Sequence, residues 1–231
     1  MPKIFALIPA AGQGSRMGEG PPKQYLQVAG RPLLHHAVAV LAASPRIHRV
    51  VVILSPDDRH WASLPQPWPA GRVDALPVGG ATRAQSVANG LEGLAREAGV
   101  DDWALVHDAA RPCLTAASLD ALIDAVGDDP AGGLLAQPVA DTLKRGDRNG
   151  RVVETVPRDG LWRAQTPQLF RFALLRRALA ARPDATDESQ AIEALGAHPR
   201  LVPGEADNFK VTYPEDMALA ERILAARKAT T

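Results

Sequence analysis

The chain is short of several things, and each shortage narrows what it does. It has one cysteine, Cys113, in 231 residues. An intramolecular disulfide is excluded, and a reducing, cytoplasmic setting is expected. The six histidines are scattered, with no zinc-like spacing to Cys113. Neither sign of charge is in excess, since 26 basic residues face 26 acidic ones. That balance leaves no electrostatic case for binding nucleic acid or a membrane surface. No apolar run is long enough to span a bilayer. The first residues pass straight into an apolar segment, so no signal or transit peptide is expected. Repeats and low-complexity tracts are lacking. Lysine is scarce as well: Lys3, Lys23, Lys144, Lys210 and Lys228 are all there are. With Ala, Pro and Gly abundant, this fits a GC-rich coding sequence. Lys23 and Lys210 then stand out as places where a compact ammonium is used instead of a planar fork; the plain alternative is a chance pair of surface lysines.

Other absences close off particular chemistries. A P-loop needs Gly-x-x-x-x-Gly-Lys-Ser/Thr, and no Lys-Ser or Lys-Thr pair follows the N-terminal glycines. A dinucleotide fingerprint fails because Met17 takes its third glycine position and Arg16 crowds the turn. No Ser/His/carboxylate order with a nucleophile elbow supports hydrolysis.

What is present is an alternation of apolar runs and helical patterns. Strands are expected at Lys3–Pro9, Arg49–Leu54, Val73–Val78, Trp103–His107 and Gly133–Pro138, and helices at Leu33–Ala43, Arg83–Ala98 and Ser118–Val126. This order predicts parallel strands with crossover helices, hence one α/β domain over 1–231, a Rossmann-like, doubly wound three-layer sandwich on a mostly parallel sheet. The pattern breaks after Pro138. Thr142–Arg145 and Val152–Val156 read as a hairpin around Asn149-Gly150. A protruding arm over 138–165 that reaches a partner subunit and a decorative surface hairpin are equally compatible with this stretch. Helices follow at Phe172–Ala181 and Asp187–Leu195, the latter with Thr186 as N-cap. A short strand at Arg200–Val202, a late strand over 207–212 and a last helix opened by Pro214 complete the reading.

The most telling segment is Pro9-Ala10-Ala11-Gly12-Gln13-Gly14-Ser15-Arg16-Met17-Gly18, followed by Pro22-Lys23-Gln24-Tyr25. A Gly-rich loop after a buried strand lets backbone N–H groups approach a polyphosphate, and two cations lie close by. An ordinary strand-to-helix turn is the competing interpretation. In an open α/β sheet, ligands bind outside the carboxyl ends of the strands. That rule gathers Arg16 and Lys23 with Gly79-Gly80, Arg83 and Ser86, with His107-Asp108-Ala109-Ala110-Arg111, with Asp141-Thr142 and with Asp207-Asn208-Phe209-Lys210. Asp108, ending a buried strand, suits Mg²⁺ or a substrate hydroxyl, and Asp207 is a second carboxylate candidate. A helix cap or an ion pair is the plain role for either. His107 reads as a packed strand-end residue and Cys113 as inert.

These segments carry a resemblance. The loop with Arg16 and Lys23, then Val106-His107-Asp108-Ala109-Ala110-Arg111-Pro112, Asp141-Thr142, Arg158-Asp159-Gly160-Leu161-Trp162, Gln165-Thr166-Pro167-Gln168, Thr186-Asp187-Glu188 and Asn208-Phe209-Lys210-Val211-Thr212 follow one another along nearly the whole chain. Together they resemble the 2-C-methyl-D-erythritol 4-phosphate cytidylyltransferases of non-mevalonate isoprenoid synthesis. The resemblance implies a fold of the nucleotide-diphospho-sugar transferase type. It also implies transfer of cytidylyl from CTP to methylerythritol phosphate with release of pyrophosphate, using Mg²⁺. By that likeness Arg16 and Lys23 are catalytic cations at the α-phosphate. Arg158, Lys210 and Thr142 are acceptor ligands, and Asp108 and Arg111 lie on the substrate and metal side. Ala10, Ala11, Gly12, Gly14, Gly80 and Ser86 frame the nucleotide. The arm makes a homodimer, so Arg158 serves the neighbouring subunit's site. One departure stands out: Ala81 and Thr82 occupy a place where such proteins often carry an acidic residue. A ribitol-5-phosphate cytidylyltransferase is the nearest alternative, with a sugar-1-phosphate nucleotidyltransferase and a non-catalytic nucleotide binder further off.

Overall fold

The computed structural model describes residues 2–12 and 20–229. In chain order the elements are β1 (Ile4–Pro9), β2 (Gln27–Val28), β3 (Arg31–Pro32), α1 (Leu33–Ala43), β4 (Arg49–Ile53), β5 (Val73–Leu76), α2 (Arg83–Leu94), β6 (Trp103–Val106), α3 (Ala116–Val126), β7 (Gly133–Pro138), β8 (Leu143–Gly146), β9 (Val152–Val156), β10 (Trp162–Arg171), α4 (Phe172–Ala181), α5 (Glu188–Glu193), β11 (Arg200–Pro203) and α6 (Pro214–Ala229). The main sheet runs β11-β7-β10-β6-β1-β4-β5. Its pairs are parallel except that β10 lies antiparallel to both β6 and β7.

Burial on both faces explains the unbroken apolar runs of β1, β4 and β6. Alternate residues of β1 serve opposite layers. Ala6 and Ile8 join Val50, Val52 and Leu105 against Leu34, Val38 and Leu41 of α1 and Leu119 and Leu122 of α3. Phe5 and Leu7 join Val51, Ile53 and Val106 against Val87 and Leu91 of α2 and Leu175 and Leu179 of α4. The result is the expected three-layer sandwich. Gly90 lets α2 lie close on the sheet, because a Cβ there would collide with Ile53 Cδ1.

Four local expectations change. β10 has no counterpart among the expected strands, yet its ten residues form the longest strand of the sheet. Pro167 argues against a central strand because it has no N–H to donate. The chain accommodates it where the pairing with β7 shifts register, between Ala164 and Gln168. The late strand over 207–212 does not form. Isolated anchors replace a ladder: the Asn208 side-chain Nδ2 donates to Thr166 O at 2.8 Å and to Gln165 Oε1 at 3.1 Å, and the backbone Val211 N donates to Ala110 O at 2.9 Å. The cap of α5 is Asp187, not Thr186, its carboxylate accepting from Gln190 N at 2.9 Å. Finally, α2 ends at Leu94 and passes into turns, with Glu97 N bonded to Leu94 O at 2.9 Å.

The expected hairpin is present as a separate two-stranded sheet, with Leu143 opposite Val156 and Lys144 opposite Thr155. Its tip is closed by Asp147 N to Arg151 O at 2.9 Å, and Gly150 adopts the left-handed region there, φ 74°. Val152 and Val153 on β9 are 65% and 62% exposed.

Candidate active site

The loops at the carboxyl ends of β1, β5 and β6 enclose a cleft of about 410 Å³. Ala10, Ala11 and Gly12 form one wall, Gly80 to Arg83 and Ser86 another, and Lys23, Asp108 and Lys210 also line it. Hydrogen bonds fix these segments on one another. Ala10 N donates to Ile53 O at 2.8 Å, and Ala10 O accepts from the buried Gln24 Nε2 at 2.6 Å. Gly79 must be glycine because a Cβ would meet Ala11 Cβ and stand 2.7 Å from Leu54 O. Gly80 N donates to Ser86 Oγ at 3.0 Å, and Ser86 Oγ donates to Thr82 O at 2.9 Å. Thr82 caps α2, its hydroxyl accepting from Gln85 N at 3.1 Å. The N-terminal end of α2 thus faces the cleft, with no acidic residue in its first turn, and its dipole favours an anion.

Asp108 stands at the junction of this cleft and a smaller hollow of about 170 Å³. It is 6% exposed, and three cations converge on it. Arg83 Nε donates to Oδ1 at 2.9 Å, Lys210 Nζ lies 2.8 Å from Oδ2, and Arg111 Nε lies 3.8 Å from Oδ2. Burial opposes ionisation of Asp108, but Arg83, Lys210 and Arg111 outweigh it and hold the carboxyl well below the usual carboxylate range. Behind Arg83 lies Glu188, fully buried, which accepts from both terminal nitrogens at 2.7 and 3.0 Å. Burial works against the Arg83 charge, yet Glu188 and Asp108 together keep it firmly ionised. Arg111 is anchored by Asn208 O at 2.6 Å and Ala164 O at 3.3 Å. Lys210 is placed by its pinned neighbour Val211, which is fully buried and packs in a cluster with Val28 and Leu33 and with Ile223 and Leu224 of α6. Lys23 Nζ donates to Val211 O at 2.7 Å.

His107 is fully buried beside Asp108, and burial lowers its pKa to about 4, leaving it neutral. Burial pushes the Cys113 thiol up to about 11. Both agree with the readings of a packed residue and an inert one.

The other expected site residues are less centrally placed. Gly14 and Arg16 lie outside the described residues. Thr142 and Arg158 are exposed at the root of the arm, and Arg158 donates to Ala140 O; neither lines the cleft or the smaller hollow. Asp207 also lines neither cavity, and its Oδ2 is 3.3 Å from Arg227. Three residues stand in the motif segments of the sequence with no individual role expected of them: Glu188, Thr166 and Gln24. The apolar and glycine patterns gave no signal for them, because each works as a buried hydrogen-bonding partner of another site residue.

A cation-lined, backbone-walled cleft at the carboxyl ends of a mostly parallel sheet defines a nucleotide-handling α/β protein. The family model described as 2-C-methyl-D-erythritol 4-phosphate cytidylyltransferase matches residues 4–226. Proteins of that name from Dechloromonas aromatica and Nitrosospira multiformis are similar to this chain. The first is 57% identical over 99% of this chain and 100% of its own length, the second 56% identical over 97% and 98%. Among solved structures, a 4-diphosphocytidyl-2C-methyl-D-erythritol synthase superposes with a TM-score of 0.87 at 41% identity, covering 97% of this chain and 99% of its own. The cytidylyltransferase from Thermus thermophilus gives 0.78 at 35%, covering 96% and 98%. The chain belongs to the 2-C-methyl-D-erythritol 4-phosphate cytidylyltransferase family. No helix among the described residues is long and apolar enough to cross a membrane.

Proposed function

We propose that this chain is a cytoplasmic nucleotidyltransferase that joins CTP and 2-C-methyl-D-erythritol 4-phosphate. A phosphate oxygen of the acceptor attacks the α-phosphorus of CTP. The bond from that phosphorus to the bridging oxygen breaks, and pyrophosphate leaves with 4-diphosphocytidyl-2-C-methyl-D-erythritol as the other product. The observation that carries this reading is the convergence of Arg83, Arg111 and Lys210 on Asp108, where the larger cleft meets the smaller hollow. The cleft suits the nucleotide and the hollow suits the acceptor.

The acceptor phosphate is already an anion, so the reaction needs positioning and charge stabilisation more than a base. Lys23 and Arg16 take the charge that develops at the α-phosphate. Lys210 and Arg111 hold the acceptor side, and the backbone of Ala10, Ala11 and Gly12 follows the phosphates. Gly14 is read as a further part of that loop. Ser86 Oγ, which accepts from Gly80 N and donates to Thr82 O, keeps one lone pair. That lone pair accepts from the amino group of cytosine and disfavours the carbonyl of uracil. Gly80 supports the base beside it.

Asp108 would meet a divalent cation such as Mg²⁺ through the lone pairs that Arg83 Nε leaves on Oδ1 and Lys210 Nζ leaves on Oδ2. It is a hard oxygen donor on the cleft, and Mg²⁺ ordinarily takes one or two carboxylates and leaves its remaining positions to phosphates and water. Among the described residues no group of three or more His, Cys, Asp or Glu forms a cage. Bound there, the cation would neutralise charge on the triphosphate. Asp207 lines neither the cleft nor the hollow, so it does not fit this role.

The arm is read as the dimer contact. An isolated two-stranded hairpin is marginally stable, and the exposed Val152 and Val153 give it apolar surface to bury. Thr142 and Arg158 then reach the partner's acceptor hollow. Pyrophosphate release with CTP, comparing methylerythritol phosphate and ribitol 5-phosphate, tests the reading. Turnover with the first and little with the second is expected; preference for ribitol phosphate would overturn it.

A further inference from the structure

His107 ends the pairing of β6 with β1, its N–H donating to Leu7 O at 2.9 Å, and its ring is fully enclosed. Two polar atoms meet that ring. Nε2 is 3.1 Å from the carbonyl oxygen of Arg111, and Nδ1 is 3.0 Å from Thr166 Oγ1. A carbonyl oxygen only accepts, so Nε2 carries the ring hydrogen. Nδ1 is then an acceptor, and the Thr166 hydroxyl gives it its single proton. With that proton committed, Thr166 Oγ1 accepts from Asp108 N at 3.0 Å. The order of every proton in this chain follows from the acceptor-only atom at its end. A further bond, Arg111 N to Asp108 O at 3.0 Å, closes the turn on itself.

We propose that His107, as the neutral Nε2–H tautomer, is a positioning residue: it grips Arg111 with one nitrogen and, through Thr166, Asp108 with the other, and so aims both side chains at the substrates. This rests on reading the cleft as the transfer site, although the ring itself touches no substrate. Asp108 and Arg111 are the two ends of one short turn. A clamp on both ends converts a flexible connection into a fixed distance between the carboxylate and the guanidinium. Second-layer groups of this kind matter because reacting groups must be held to within a fraction of an ångström.

The clamp and simple packing make opposite predictions for substitutions. A packing role alone ranks His107→Leu above His107→Asn and His107→Gln, since leucine adds no polar group to a buried site. The clamp ranks them the other way. An asparagine oxygen near the Nδ1 position keeps the bond to Thr166, and a glutamine amide near the Nε2 position keeps the bond to Arg111. The leucine variant keeps neither and leaves both partners unsatisfied. We expect His107→Leu to lose kcat/KM for methylerythritol phosphate by about tenfold or more, as loss of buried hydrogen bonds implies. The Asn and Gln variants should fall between it and the unsubstituted protein. Greater activity of the leucine variant than of both amides would overturn the clamp. Nitrogen-15 spectra of the unsubstituted protein, labelled at histidine, give a readout independent of activity and of any variant's folding. A pyrrole-type Nε2 and a pyridine-type Nδ1 at His107 are expected; the opposite tautomer would overturn the proposal. A failure of the function would appear instead as no turnover by the unsubstituted protein with a normal spectrum.

Discussion

Arg83 and Glu188, 105 residues apart in sequence, face each other through two parallel hydrogen bonds of 2.7 and 3.0 Å, while Nε of the same guanidinium holds Asp108 at 2.9 Å. The start of α2 and the start of α5 are thereby tied to the turn after β6. Burial raises the Glu188 carboxyl, and the Arg83 fork pulls it back toward ionisation. A bidentate guanidinium–carboxylate pair has this geometry when both partners are charged.

Removing one partner of such a pair strands the other. Glu188→Ala is expected to cost about 3–5 kcal/mol of stability, the usual cost of a broken buried pair. Glu188→Gln keeps the shape but turns an NH₂ group toward the guanidinium, so it too should lower stability and slow turnover. Urea unfolding and steady-state rates on the two variants check this. A glutamine variant with unchanged midpoint and unchanged kcat would mean that Arg83 needs no anion behind it.

The two cations of the N-terminal loop should behave differently from the buried pair. Lys23→Ala and Arg16→Ala are each expected to lower kcat on the order of a hundredfold, with a smaller change in the KM for CTP. The motive is their assignment to the α-phosphate, where charge grows only during transfer. Steady-state kinetics with CTP varied separates the cases. Normal kcat with only a raised KM would make them ground-state binders.

Three buried histidines set the acid limb of stability. Burial lowers the pKa of His35, His36 and His107, to about 4 for His107. In the unfolded chain each takes up a proton near pH 6.5. Below that pH the unfolded state binds more protons than the folded one, so stability is complete above about 6.5 and falls as the pH drops toward 4. His35 offers a clean test. It packs edge-on to Trp61 and Trp68, and its Nε2 is buried with no hydrogen-bond partner among the described residues. His35→Phe should therefore flatten the loss of stability between pH 6.5 and 5 at little cost at pH 7.5. Urea midpoints at the three pH values measure it, and an unchanged slope would remove His35 from the account.

The sheet was legible because β1, β4 and β6 are covered on both faces and so appear as unbroken apolar runs. β10 was not, because three of its buried residues are Gln165, Thr166 and Gln168 and a fourth is Pro167. They are polar because they hold other site residues: Thr166 accepts from Asp108 N, Gln165 from Asn208, and Gln168 Oε1 from Ser189 N at 2.8 Å. Period and hydrophobicity carry no trace of that work. Asp108, Arg111 and Lys210 could be gathered from the rule that ligands lie at strand ends. Glu188 could not, since its partner is fixed by tertiary packing alone. The late segment over 207–212 misled for the same reason: its order comes from Asn208 and Val211 reaching outward, not from a ladder.

The arm gives the sharpest test of assembly. Arg158 lies exposed at its root, outside the lining of the cleft and of the smaller hollow, with its guanidinium on Ala140 O. If two arms embrace, each Arg158 completes the other subunit's acceptor hollow. Arg158→Ala should then raise the KM for methylerythritol phosphate and leave CTP affinity nearly intact. Arg158→Lys should recover only part of the loss, because an ammonium cannot reproduce a bidentate grip on phosphate. Action in trans makes a stronger prediction. In that arrangement Lys23 serves the cleft of its own chain, which it lines, and Arg158 would serve that of the partner. A dimer of one Lys23→Ala and one Arg158→Ala subunit therefore holds one site with both defects and one with neither. Random pairing of equal amounts yields roughly half mixed dimers, so about a quarter of full activity should return. Co-expression with two affinity tags isolates the mixed species for assay. Purified mixed dimers no more active than either parent would place Arg158 within its own chain's work, or outside the site.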